Sequence, residues 1–188
     1  MQPARWGVIL LAMWLAMGPW IEAAEADDGF LDALSKIATR EARKQLRAKK
    51  FKFSGGPFAG TVEAVDPDGT LTTEVKDFAL ANDLLKTTVT ASGRFRIEGQ
   101  LSEEAEVSAL FNVQLTANVE ARFLKEDQKF YVEPTIKDIS LTLSIVELSP
   151  ANLSGGQELL SNLAMAAFSK SKDRIIAEAN KRLGKRPI

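Results

Sequence analysis

Ala105 to Phe123 reads AEVSALFNVQLTANVEARF, and this stretch decides the fold. Its odd positions, Ala105, Val107, Ala109, Phe111, Val113, Leu115, Ala117, Val119, Ala121 and Phe123, are all apolar. Its even positions are polar except Leu110. A period of two gives a β-strand with one dry and one wet face. At about 3.3 Å per residue the run spans roughly 60 Å, far beyond the usual five or six residues. Such a strand has to coil, and its dry face has to be covered by something long.

Working outward, similar alternation flanks the central strand. On the N-terminal side, Phe58, Gly60, Val62 and Ala64 lead to Asp66-Pro67-Asp68-Gly69, a turn in which proline presets φ. Leu71, Thr73 and Val75 form the return, and Asp77 to Asp83 loses the phase, which predicts a bulge. A strand from about Leu85 to Leu101 places Thr87, Val89, Ala91, Gly93, Phe95, Ile97 and Gly99 inward; Gly93 predicts a bend or a close approach. On the C-terminal side the apolar row runs through Phe130, Val132, Pro134 and Ile136, then Ile139, Leu141, Leu143 and Ile145. The phase changes at Lys137-Asp138, again a bulge, and Pro134 argues for an edge position.

Two helices bracket the strands. The first is expected over about Gly29 to Lys50, with an apolar stripe at Phe30, Leu31, Leu34, Ala38 and Ala42. Its later turns are basic: Arg40, Arg43, Lys44, Arg47, Lys49 and Lys50. The second is expected over Gln157 to Leu183, about 40 Å long, with Gly184 as its C′ residue. Its first half, Leu159 to Phe168, is apolar almost all round, which predicts burial on more than one side. The expected fold is therefore α+β: a long, strongly coiled antiparallel meander wrapped around the C-terminal helix, with an amphipathic N-terminal helix.

Residues 1–26 read as a signal peptide. Arg5 is the one cation before an apolar run from Trp6 to Met17, and Ala24-Glu25-Ala26 fits a small-x-small cleavage site. Cleavage is expected after Ala26, with Ala24 as the runner-up, leaving 27–188 as one domain in a secreted or periplasmic compartment. Retention of the segment as an anchor is the rival, but the run is short of a membrane span. Of the chain's 24 basic and 25 acidic residues, cleavage removes one and two, leaving 23 of each, so net charge selects no partner.

The 188-residue chain has no cysteine and no histidine. That removes disulfides, thiol chemistry, the commonest general base and the commonest metal ligand. Asp66, Asp68 and Gly69 lack the spacing of a calcium loop. Glu103, Glu104 and Glu106 read as a solvated patch. No catalytic residue, metal or cofactor is expected, and nucleic acid is not an expected partner.

Small residues recur on the dry rows: Gly60, Ala64, Ala91, Gly93, Ala109 and Ala117 on strands, Ala164, Ala166 and Ala167 on the second helix. They serve tight packing or an apolar groove. A last amphipathic strand, Ile139-Ser140-Leu141-Thr142-Leu143-Ser144-Ile145, passes through Leu153-Ser154-Gly155-Gly156 into an apolar helix. In this order of helix, long coiled sheet and apolar helix the chain resembles the tubular lipid-binding (TULIP-like) superfamily, as a single-module bacterial-type or takeout-like member. It is compact for such a module and lacks a disulfide. The resemblance implies binding of a lipid or other apolar molecule between helix and sheet, without catalysis.

The residues expected to line that groove are Phe95, Ile97, Phe111, Val113, Leu115, Leu141, Leu143, Leu160, Ala164 and Phe168. Arg40, Arg43, Lys44 and Arg47 are the expected contacts to anionic head groups or another polyanion, such as a membrane surface, with Lys170, Lys172 and Arg174 as possible neighbours. The alternative is an interaction module with a filled core that binds a protein or envelope polymer.

Overall fold

The computed structural model describes residues 28–47, 49–55, 58–100, 106–150 and 155–187. The predicted signal peptide, Ala105 and the predicted turn at 102–104 lie outside them. The element order is α1 (Asp28–Leu46), β1 (Lys50–Gly55), β2 (Phe58–Ala64), the one-turn α2 (Pro67–Thr70), β3 (Thr72–Ala81), β4 (Leu84–Gln100), β5 (Glu106–Glu126), β6 (Lys129–Ser149), α3 (Gly156–Leu183) and β7 (Arg186–Pro187). The class is α+β, with one open antiparallel sheet and a C-terminal helix.

β5 and β6 have 21 residues each and β4 has 17, so the long strands predicted from alternation are present. The path β1-β2-β4-β5-β6-β7 departs from a simple meander, because β2 and β3 share one edge of β4. β2 takes Phe95 to Gln100, and β3 takes Leu84 to Ser92. The chain passes from one to the other through α2, whose Asp66 side chain accepts from Gly69 N at 3.2 Å. Gly93 lies at this junction. A Cβ there would come within 2.9 Å of the Leu71 side chain, so the predicted close approach is that of Leu71.

The predicted phase changes are register shifts: between Lys76 and Ala79 in β3, and at Lys137 in β6. A third shift skips Val146 of β6 and was not predicted. One strand was also missed. Lys50–Gly55 forms β1 rather than the end of the helix, so α1 stops at Leu46.

The core lies on one face. In α1, Leu34, Ala38, Ala42 and Leu46 are buried against Val75, Val89, Ala117 and their neighbours. In α3, Ile175, Ala179 and Leu183 join the same cluster. Each helix also seals a strand edge with polar side chains. Ser35 Oγ accepts from Val75 N at 2.9 Å, Thr39 Oγ1 accepts from Thr73 N at 2.8 Å, and Arg43 donates to Leu71 O at 2.9 and 3.0 Å. Four residues of helix rise about 6 Å and two residues of strand about 6.8 Å. The i, i+4, i+8 row of α1 therefore matches alternate backbone positions from Val75 back to Leu71. On the other edge, Asn180 Oδ1 accepts from Ile136 N at 2.7 Å and Nδ2 donates to Ile136 O at 3.0 Å. With β7 on Tyr131 and Val132, and a proline at 134, the stretch of this β6 edge from Tyr131 to Ile136 offers few free donors.

Candidate apolar binding site

The register of β4, β5 and β6 lays the dry-face residues in cross-strand rows. They are Ala91–Leu115–Leu141, Gly93–Val113–Leu143, Phe95–Phe111–Ile145 and Ile97–Ala109–Leu148. Seven of the residues expected to line a groove thus meet on one patch of sheet: Phe95, Ile97, Phe111, Val113, Leu115, Leu141 and Leu143. Leu160 of α3 is buried in a cluster with Val107, Ala109 and Phe111. Phe168 packs against the larger core cluster, and Ala164 is half-buried. All ten predicted residues are therefore on the dry face or on the helix beside it.

They divide into two grades. Phe95, Phe111, Leu115 and Leu160 are buried and form a packed floor. Ile97, Val113, Leu141, Leu143, Ala164 and Phe168 are half-buried and form a rim. Ile145 and Leu148 belong to the rim as well and were not selected from the sequence. Their signal was the apolar row itself; the unforeseen shift at Val146 hid Leu148.

The first half of α3 is not buried on several sides as predicted. Between Gln157 and Arg174 only Leu160 is buried, while Leu159, Leu163 and Met165 are 47%, 40% and 39% exposed. A single row of contacts to β6 uses one side of the helix, and nothing among the described residues covers the others. At about 100° per residue Leu159 and Leu163 share the flank next to Leu160, while Met165 projects from the far side, so an apolar flank of two leucines stands beside a half-exposed apolar sheet surface. Among the described residues no helix is long and apolar enough to cross a membrane, and no group of three or more metal-ligating side chains occurs.

The four basic residues separate. Arg40 and Lys44 are exposed. Arg43 is occupied by Leu71 O, and Arg47 pairs with Asp68 at 2.7 and 2.8 Å, a contact that raises the pKa of its guanidinium. α1 lies along β3 and α3 along β6, with β4 and β5 between, so Lys172 and Arg174 are not neighbours of the basic run of α1. Lys172 pairs instead with Asp138 at 2.5 Å, and Arg174 with Glu178 at 3.5 Å.

No protein-family model matches the chain, and no curated protein is significantly similar to it.

Proposed function

We propose that the chain is a secreted or periplasmic binding protein for a lipid or similar apolar ligand, and that it carries its ligand without transforming it. The acyl portion would lie along the rim formed by Ile97, Val113, Leu143 and Ile145, against the first half of α3. The observation that carries this reading is the exposed flank of Leu159 and Leu163, next to the sheet-facing Leu160 on the helix and beside that rim. Burying apolar surface is worth about 25 cal/mol per Å², and an acyl chain is a long, narrow way to bury it on both sides at once. The order of elements agrees with the resemblance to the tubular lipid-binding superfamily, of which the chain would be a single-module relative.

A second reading is an interaction module. It is favoured by the outer edge of β6 beyond Ile136, which pairs with no strand among the described residues.

Native mass spectrometry of the purified protein, followed by lipid extraction, separates the two. The carrier reading expects co-purified lipid, or uptake of oleate at micromolar protein, and loss of both in Leu143→Trp, which fills the rim without disturbing the packed floor. A ligand-free mass and no uptake would favour the interaction module.

A further inference from the structure

The opposite face of the same three strands holds a second feature, independent of the apolar one. Ser92 and Arg94 of β4, Asn112 and Gln114 of β5, and Thr142 and Ser144 of β6 form two cross-strand rows, Ser92–Gln114–Thr142 and Arg94–Asn112–Ser144. With strands about 4.8 Å apart and alternate residues about 6.8 Å apart, the pad measures roughly 10 by 7 Å. That is the footprint of one sugar ring with its substituents. Asp66, Gly69 and Thr70 stand at its side as a wall, and the hollow has a volume of about 630 Å³, inside the usual range for small-molecule sites.

The wall is fixed. Thr70 Oγ1 donates within the turn, to Val65 O at 2.8 Å or Asp66 O at 2.9 Å, and accepts from Arg94 N at 3.4 Å. The pad's own side chains are not tied to one another. In the adjoining rows, Thr90 and Thr116 hydroxyls lie 3.2 Å apart and Thr88 donates to Asn118 at 3.4 Å. Among the described residues, Ser92, Asn112, Gln114, Thr142 and Ser144 have no such side-chain partner, and Arg94 has no ion-pair partner. Elsewhere on the wet face, Lys86 and Lys137 share Glu120 and Lys50 pairs with Glu63.

We propose that this pad binds one acid-bearing sugar residue, free or within a glycan. Arg94 would take its carboxylate through paired N–H donors. The amides of Asn112 and Gln114, the three hydroxyls and the Asp66 carboxylate would exchange hydrogen bonds with the ring hydroxyls. Gly93, Val113 and Leu143 complete the lining as the row between the two polar ones, but strand alternation turns the Val113 and Leu143 side chains to the dry face, so the side chains on the pad's own face are polar and unsuited to a lipid acyl chain.

The test is an amide NMR titration of the protein with sodium glucuronate, run beside glucose and sodium sulfate at constant ionic strength. The expected result is saturable shifts confined to residues 69–70, 92–94, 112–114 and 142–144, weaker with glucose and with sulfate. Charge-assisted hydrogen bonds are strong enough that Arg94→Gln should weaken binding roughly ten- to a hundredfold. Asn112→Asp, which places a carboxylate opposite Arg94 on an exposed position, should abolish the response while the thermal melt stays unchanged. No saturable shift up to roughly 50 mM, where even a Kd of about 10 mM would register, overturns the proposal. So does an equal response to sulfate, or binding that survives both substitutions.

Discussion

The two ends of the sheet share three strands, β4, β5 and β6, and differ in what covers them. At one end, β3, the first half of β4, the second half of β5 and the first half of β6 lie under both α1 and the second half of α3. The four largest fully buried side chains, Leu46, Ile139, Leu183 and Val132, are all found there. Polar side chains from both helices close its edges. At the other end, only Leu160 among the described residues descends from a helix onto Val107, Ala109 and Phe111, and Ile97, Val113, Leu143 and Ile145 stay half-exposed. Alternation guarantees a dry face along the whole of a strand. It does not guarantee that the described helices cover all of it.

The largest expected difference between the ends comes from deleting an equivalent side chain at each. Ile139→Ala should cost about 2–5 kcal/mol, since a fully buried isoleucine leaves a cavity. Ile145→Ala at the half-exposed rim should cost no more than about 1 kcal/mol. Urea melts of both variants measure this, and equal losses would mean the two ends are equally packed.

Asn180→Ala sharpens the same contrast at the edge. It orphans both backbone groups of Ile136 and should cost about 1–3 kcal/mol, with faster hydrogen exchange at the Ile136 amide. In α1, Arg43→Gln should destabilise detectably by freeing Leu71 O, whereas Arg47→Gln, which loses an exposed pair, should leave the melt unchanged.

The smallest effect is a pH effect. Glu120, on the wet side of the closed end, has its pKa lowered, chiefly by the hydrogen bond from Lys137. A carboxylate whose folded pKa is depressed adds stability above its ordinary pKa and loses it as the pH falls toward the folded value. The small advantage of the wild type over Glu120→Gln should therefore be flat at neutral pH and fade below the ordinary carboxylate range. A difference that grows on acidification would contradict the assignment.

Much of this was legible in the sequence because period two is hard to mistake over 20 residues. The long strands, the bulge at Lys137, the close approach at Gly93 and the C′ glycine at 184 all follow from local pattern. β1 was not legible, because Lys50-Phe51-Lys52-Phe53 continues a basic helix in charge while changing its period. The roles of Arg43 and Asn180 were hidden for another reason. Their partners are the backbone atoms of Leu71 and Ile136, which carry no residue type to read. The exposed sides of α3 were not legible because an all-round apolar helix indicates that cover is needed, not that the described elements supply it.

The most direct test of the account is hydrogen–deuterium exchange of the protein with and without oleate. The account predicts slower exchange in two segments, 143–149 and 157–166, and no change at 132–139 or 175–183, which are already closed. Protection that is absent from the first two segments at saturating oleate, or that falls mainly on the closed end, would contradict it.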